Sequence, residues 1–303
     1  MSRLGVMVNP AAGLGRGVRT GRQVHAALRA AGHVVTDLSA PTLAQATDRA
    51  RGASLQNLDG LVVVGGDGAV HLAVNVVAGT GLPLGIVPAG SGNDIARSLG
   101  VPRRVPEALA QIDRALGAAP HHIDAVEVGA PGREAVEWFV GVLSCGLDAA
   151  VNARANAYGW PKGHARYLRA VVGELPRFRP YGYRVTLDDG TWVSAGTLVA
   201  AANTPWFGGG LRIAPDAALD DGLLDVVVAG PFSRAGTAGI FHRLYAGTHL
   251  RHPRIEVHRS RSVVIEHEPS LGGHPPVAFA DGERIGPLPL RARVVPGALQ
   301  ILV

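Results

Sequence analysis

Along the first part of the chain, short apolar runs without polar alternation are separated by stretches in which apolar residues return every three or four positions. The runs are Leu4–Val8, Val34–Leu38, Leu61–Val64 and Leu84–Val87. Such runs, rich in β-branched residues, read as parallel strands buried on both faces. The intervening pattern predicts helices from about Val18 to Ala31, through Ala44, Ala46 and Ala50, from Val70 to Ala78, through Ile95, Ala96 and Leu99, and between Pro102 and about Leu116, with Pro106 near its start. This alternation predicts a doubly wound, Rossmann-like parallel sheet with its ligand crevice at the carboxyl ends of the strands. From Ile123 and Asp124 onward the pattern changes. Strands such as Val136–Leu143, Tyr183–Leu187, Leu198–Ala202 and Leu224–Val228 follow one another with turns between them, and helices are expected only near Ala165–Leu175 and Arg234–Tyr245. That pattern predicts a mainly antiparallel β-sandwich. The expected class is therefore α/β plus all-β: an α/β domain over residues 1–123 and a β-sandwich over 124–303, with the last strand or strands free to return to the first domain.

Two glycine-rich turns stand where buried strands hand over to helices: Gly65-Gly66-Asp67-Gly68 and Gly90-Ser91-Gly92-Asn93-Asp94. Glycines let backbone N–H groups approach an anion closely, and a helix N-terminus favours one. A bare Asp67 carboxylate would repel phosphate, so a bridging divalent cation is the natural way to hold both charges together. Ser91 and Asn93 can hydrogen-bond phosphate oxygens or cap the following helix. A third glycine run, Gly13-x-Gly15-x-Gly17, fits a dinucleotide fingerprint poorly, because its last glycine falls one residue early and Asn9-Pro10 intervenes.

Composition narrows the choice. With 303 residues and 47% hydrophobic content the chain can bury a large core. No apolar run is long enough to span a membrane and the first residues lack the pattern of a signal peptide, so a cytoplasmic protein is expected. Cys145 is the one cysteine, which excludes intramolecular disulfides and thiolate metal clusters, and the histidines show no zinc-binding spacing. The formal charge is +5 with Lys162 as the single lysine. The arginines are scattered rather than striped with aromatics, which argues against nucleic acid as a partner.

G-G-D-G followed by P-x-G-[ST]-G-N-D resembles the diacylglycerol kinase catalytic family, which includes sphingosine and ceramide kinases. Further family-like stretches lie at Asn9–Gly13, Ile123–Asp124, Gly146–Ala149, Gly208–Pro215, Asp221–Asp225 and Asp281–Glu283, so the resemblance spans nearly the whole chain. Ala69 departs from it, standing where the family usually has threonine. The resemblance implies ATP as phosphoryl donor, held by Asn9, Pro10, Ala11, Ala12, Gly13, Gly65, Gly66, Asp67, Gly68, Gly90, Ser91, Gly92 and Asn93. It implies Mg2+ at Asp67, Asp94 and Asp124, directly or through water. A structural magnesium is implied at Asp221, with main-chain carbonyls of Leu223 and Ala218. A nucleotide contact falls on Ser39 or Thr42, either of which could equally cap the next helix. The acid of D-G-E is implied to take the proton from the lipid hydroxyl: Glu283 is the first choice and Asp281 the second.

The expected activity is phosphorylation of a lipid hydroxyl, with diacylglycerol the leading substrate and phosphatidic acid the product. Two other readings stand beside it: an NAD kinase-like enzyme, which shares G-G-D-G, and a catalytically inactive regulator that keeps the fold, for which Ala69 is the motive. Without a membrane span, peripheral contact with the inner face of the membrane is the remaining route to a lipid. The segment Trp160–Tyr183 is the candidate surface, where Lys162, Arg166, Arg169, Arg177 and Arg179 alternate with Trp160, Tyr167, Phe178 and Tyr181. A homodimer is left open.

Overall fold

Four of the apolar runs become the parallel strands β1 (Arg3–Val8), β2 (Val34–Asp37), β3 (Gly60–Gly65) and β4 (Leu84–Pro88), in the spatial order β2-β1-β3-β4. In this computed structural model, residues 1–53, 55–135, 137–160 and 164–303 are described. β3 and β4 are buried along their full length, whereas β2 at the sheet edge is mostly exposed. Helices α1 (Ala12–Gly15), α2 (Gly17–Ala30), α3 (Leu43–Gly52), α4 (Asp67–Val77), α5 (Asp94–Ser98) and α6 (Val105–Ala115) connect and flank them. Helix α4 is buried over most of its surface, while α2 and α6 each bury one stripe. In α2 this is Gly17, Gly21, Val24 and Leu28; in α6 it is Ala108, Leu109, Ile112 and Ala115. Val24, Leu28, Leu109, Ile112 and Ala115 meet Leu4, Val6, Val62, Val64 and Val87 in one core. Together with Pro296–Val303 this segment, through Ala125, is one of two compact units.

The second unit, Val126–Val295, is built from two antiparallel sheets. Its strands and helices, with β5 and β18 shared across the unit boundaries, are β5 (His121–Gly129), β6 (Glu137–Phe139), β7 (Val142–Gly146), α7 (Leu147–Ala157), α8 (His164–Glu174), β8 (Tyr181–Leu187), β9 (Gly190–Gly196), β10 (Leu198–Ala202), β11 (Trp206–Phe207), β12 (Leu211–Arg212), β13 (Leu224–Ala229), α9 (Arg234–Ala246), β14 (Ile255–Ser260), β15 (Ser262–His267), β16 (Ala278–Ala280), β17 (Glu283–Gly286) and β18 (Leu290–Ile301). One sheet runs β14-β13-β10-β7-β16-β17; the other runs β18-β15-β8-β9, with β5 and β6 attached through β18. Phe139, Leu143, Tyr183, Val199, Val226, Ile265 and Leu290 fill the space between the sheets. The first residues of β18 pair with β15, and Ile301 at its end pairs in parallel with Leu84.

Three sequence expectations are revised. The strand expected over Val136–Leu143 is broken at Val140–Gly141, and its first residue, Val136, lies outside the described residues. The break has a cause: the N–H groups of Val140 and Gly141 donate to the Asp281 carboxylate, at 3.1 and 2.8 Å, rather than continuing a ladder. Helix α7 is not foreseen by the apolar pattern, because its alanine-rich sequence buries only Leu147, Ala149, Val151 and Ala155 and shows no sharp apolar stripe. Of the aromatics expected at a membrane surface, Phe178 is buried, Tyr167 on α8 is half-buried against the cluster of Leu147, Val151 and Phe178, and Tyr181 stacks edge-on between Phe178 and Tyr183. They belong to the core, and Lys162 lies outside the described residues.

In the segment matched to a structural magnesium, the aspartate has partners within the chain. Asp221 Oδ1 accepts the N–H of Leu223 at 2.9 Å, while Oδ2 is paired with the guanidinium of Arg259. Arg259 stands directly across the β13–β14 ladder from Asp225, 3.8 Å from its carboxylate. Burial pushes the Asp225 carboxyl up, Arg259 opposes that, and Asp221 and Asp216 reinforce it. Both Asp221 oxygens thus have a partner within the chain, one a backbone N–H and the other a guanidinium. Arg259→Ala removes the cation that faces Asp221 and the buried Asp225 and is expected to lower the melting temperature; an unchanged midpoint would show that the pairing contributes nothing to stability.

Candidate functional site

Three loops of the first unit converge at the carboxyl ends of β1, β3 and β4. G-G-D-G is not a free four-residue loop: Gly65 ends β3, Gly66 caps α4, and Asp67 and Gly68 already lie in the first turn of that helix. Across from it, a Cβ on Gly90 would stand 2.5 Å from the Gly66 Cα, so the two turns touch through backbone alone. The loop after β1 joins them. A Cβ on Gly13, which has φ of +57°, would reach 2.8 Å from the Ala89 carbonyl oxygen. Asn9 holds that loop in shape by accepting the Ala11 N–H on Oδ1 at 3.0 Å and donating its own N–H to Val64. Pro10, Ala11 and Ala12 carry the chain into α1.

The polar side chains of these loops act first as braces. Asn93, in the left-handed conformation at φ of 57°, accepts the Gly90 N–H on Oδ1 and donates its amide to the Gly90 carbonyl, both at 2.9 Å. Asp67 Oδ1 accepts the Ile95 N–H at 3.0 Å and so ties the start of α4 to α5. Asp94, nearly buried, pairs with Arg97 at 2.6 Å. Asp124, also buried, accepts the Gly297 N–H at 3.0 Å. Among the described residues no group of three or more His, Cys, Asp or Glu is gathered to hold a metal ion. Ser91 and Gly92 complete the loop between β4 and α5, and Ala69 is buried against Gly65. Of the two residues left open at the end of β2, Thr42 caps α3 by accepting the Gln45 N–H at 3.3 Å. Ser39 instead lines a cavity of about 360 Å³ with Pro10, Arg22, His25, Asp37 and Arg49. Burial works against ionisation of Asp37 there, yet hydrogen bonds from Ser39 and the charges of His25 and Arg29 hold its carboxyl below the ordinary value.

In the second unit the D-G-E turn separates its two acids. Asp281, at φ of 53°, is the clamp on Val140 and Gly141 described above, and a Cβ on Gly141 would come within 2.4 Å of its Oδ1. Glu283 is exposed at the start of β17. A separate apolar cavity of about 210 Å³ lies among α7, α8, α9 and the β10–β13 face, lined by residues such as Val151, Leu175, Phe207, Phe232 and Phe241. Its polar groups are Asp148, Tyr167, Thr197, Thr237 and His249. Ser144 donates its hydroxyl to Asp148 Oδ2, and burial pushes the Asp148 carboxyl up. His249, at 1% exposure, meets the Ile213 carbonyl through Nε2 at 3.0 Å, while its Nδ1 has no hydrogen-bond partner among the described residues. The sequence does not single out this cavity. Asp148 falls within the family-like Gly146–Ala149 stretch, but an isolated histidine and dispersed aromatics carry no spacing signal.

Residues 3–128 match the family model for the diacylglycerol kinase catalytic domain, and residues 141–303 match the YegS C-terminal NAD kinase β-sandwich-like domain. A diacylglycerol kinase of Mycobacterium tuberculosis is 34% identical over 305 aligned residues, covering 100% of this chain and 95% of that one. A probable lipid kinase, YegS-like, of Stenotrophomonas maltophilia is 29% identical, covering 80% of this chain and 78% of the relative. Among solved structures, a putative diacylglycerol kinase from Bacillus anthracis superposes with a TM-score of 0.76 at 22% identity, covering 99% and 96% of the two chains. The fold and paired turns define a kinase-type α/β unit joined to a β-sandwich. The chain belongs to the diacylglycerol kinase catalytic family.

Two outcomes follow from this geometry. Gly90→Ala must force the turns apart and is expected to cost about 1–3 kcal/mol in urea unfolding, as overpacking does. Gly239→Ala in α9, where nothing lies within 4 Å of the added Cβ, leaves stability unchanged or raised. The second concerns pH: burial lowers the His249 pKa from 6.5, with the Ile213 hydrogen bond opposing. The unfolded chain therefore binds the proton more readily, and stability falls as pH drops below about 6.5. His249→Gln should flatten that part of the melting-temperature profile; an unchanged acid slope would remove His249 as its source.

Proposed function

We propose that this chain transfers the γ-phosphoryl group of ATP to the hydroxyl of a membrane lipid, with diacylglycerol the first choice of acceptor and phosphatidic acid the product. The observation that carries the reading is the backbone contact of Gly66 with Gly90 at the mouth of β3 and β4. Two glycine turns pressed together at strand ends, next to the N-terminus of α4, form a surface that an anionic phosphate chain can approach without meeting side chains. The residues from Asn9 to Gly13 complete that cradle, and the cavity beside Ser39 takes the nucleoside end.

Asp67 is the carboxylate best placed among the loops to meet a metal ion that arrives with the nucleotide. Magnesium is commonly held by one or two carboxylates plus substrate phosphates, so a preformed three-carboxylate cluster is not required. Asp94 and Asp124 support the loops beneath it or act through water. When bound, the ion supplies neutralisation of charge on the transferring phosphoryl group. In the second unit, Glu283 takes the proton of the lipid hydroxyl as its oxygen attacks phosphorus and ADP leaves. Asp281 is a positioning residue, since both its oxygens are engaged by backbone N–H groups, which fix its orientation. The apolar cavity favours a lipid acceptor over NAD, because a lining of aliphatic and aromatic side chains suits an acyl chain.

The test is a panel of acceptors with labelled ATP and magnesium: dioctanoylglycerol, a sphingoid base, ceramide, undecaprenol and NAD. Diacylglycerol should be phosphorylated, Glu283→Gln should lower kcat by about 10²–10⁴-fold, and nucleotide binding by calorimetry should persist. Phosphorylation of NAD alone would replace this reading with that of a small-molecule kinase. ATP binding without turnover on any acceptor would make the chain a regulator, and turnover that survives Asp67→Ala unchanged would remove the metal assignment.

A further inference from the structure

Most large apolar side chains of the second unit are covered; those that are not, among the described residues, are Val193, Val257 and Leu271, which stand apart on β9, on β14 and after β15, and a group on α8 and α9 with Trp160 ahead of α8. Trp160 is 76% exposed, Leu168 55%, Val172 67% and Tyr245 45%. Leu168 and Val172 are one turn apart on α8 and so lie on the same side of that helix. Leu168 also lines the cavity, so the exposed stripe is continuous with the cavity wall. Tyr245 is on α9, which contributes Ile240, Phe241 and Leu244 to the same wall, and its ring packs edge-on against Phe241 at 6.0 Å. Burial first, then Asp148 and Tyr245, push up the pKa of the Tyr167 phenol, which places the α8 and α9 groups within electrostatic reach of each other.

Charge is distributed in the same one-sided way. Residues 164–179 and 234–246 hold Arg166, Arg169, Arg177, Arg179, Arg234 and Arg243, and their single acid is Glu174. Glu174 is paired with Arg154, and so is already neutralised. Arg169 is held in place by donating to the Trp160 carbonyl at 2.6 Å and by lying over the Tyr158 ring at 4.3 Å. A rim that presents apolar groups among arginines, with no unpaired carboxylate in its segments, matches an interface of acyl chains beneath anionic headgroups.

We infer that the exposed faces of α8 and α9, centred on Trp160, Leu168, Val172 and Tyr245, are a docking surface for an anionic lipid bilayer, placed where the apolar cavity reaches the surface of its unit. The inference rests on the proposed lipid acceptor, and it deepens that reading by naming how the lipid is met. Aromatic and aliphatic groups enter the headgroup boundary while the arginines stay with the phosphates. A lipid chain then passes from bilayer to cavity along apolar surface throughout.

The experiment is vesicle sedimentation of the full chain without nucleotide, so that the binding it reads does not depend on turnover. Vesicles of phosphatidylcholine alone are compared with vesicles one quarter phosphatidylglycerol, at about 0.1 M and about 0.5 M salt. The parent should bind the anionic vesicles at low salt and be released at high salt. Arg243→Glu should weaken partition at least about fivefold, since each arginine near such a surface contributes about 1 kcal/mol. Val172→Glu should weaken it as much, while Val193→Glu, at an exposed valine on β9, should not. Dioctanoylglycerol turnover and the urea midpoint, measured in parallel, should be unchanged in the Val172→Glu and Arg243→Glu variants. Equal binding by the parent and both rim variants overturns the proposal, as does equal loss with Val193→Glu. Self-association that Val172→Glu abolishes, with no vesicle binding by the parent, assigns this face to a second copy and overturns it too. Vesicle binding that obeys these expectations without turnover on dioctanoylglycerol supports the surface and defeats the kinase reading alone.

Discussion

The arrangement of the first unit depends on one close approach, that of the Gly66 and Gly90 backbones. Neighbouring strands lie about 4.8 Å apart, so turns leaving the ends of β3 and β4 can meet only where no Cβ intervenes. Once in contact, they are fixed by bonds that the loops make to themselves and to each other. Asn93 closes its own loop in both directions, and the Asp67 carboxylate reaches from α4 to the N–H of Ile95. The strands below cannot shift to relieve strain, because β3 and β4 are buried throughout. A rigid floor therefore holds a surface made largely of main chain, which is what close contact with a phosphate group demands.

The second unit places its polar groups by a different device: carboxylates inserted where a β-ladder would otherwise continue. Asp281 takes two backbone donors and ends the strand that the apolar pattern extends through Val140–Gly141. That interruption fixes the conformation of the D-G-E turn and leaves Glu283 at its exposed end. Asp225 is buried within β13 and is balanced across the ladder by Arg259 rather than left alone. In both cases a carboxylate drawn back from water is met by donors or by a cation.

The same distinction explains what is legible in the sequence. Gly60–Gly65 and Leu84–Pro88 stand out because burial on both faces leaves an unbroken apolar run, and the glycine turns because few other functions require glycine at those positions. Thr42 against Ser39 is undecidable from sequence, since both side chains can cap a helix and only the fold shows which N–H lies within reach. The break at Val140–Gly141 is hidden because its cause, Asp281, is far away in sequence. Helix α7 is hidden because an alanine-rich helix packed on a sheet needs no strong stripe. Tyr167, Phe178 and Tyr181 are misplaced by composition: aromatics interleaved with arginines look alike whether the rings point inward or outward, and here they point into the core.

The arginine surplus gains physical meaning only from position. Twenty-nine basic residues against twenty-four acidic ones give a modest excess, and a modest excess by itself selects no partner. Arg184 on β8 is paired with Glu268 just after β15, and Arg259 on β14 with Asp221 just before β13, so these charges neutralise one another. The segments of α8 and α9 hold six arginines and one acid, Glu174, which Arg154 pairs, so positive charge gathers beside the apolar cavity, as it also does along α2. Positive charge gathered in this way acts over about a Debye length. The contacts that follow must come from the apolar groups, whose gain scales with the area they remove from water. On the proposed reading, long-range attraction and short-range burial thus converge on the surface through which an insoluble acceptor has to pass.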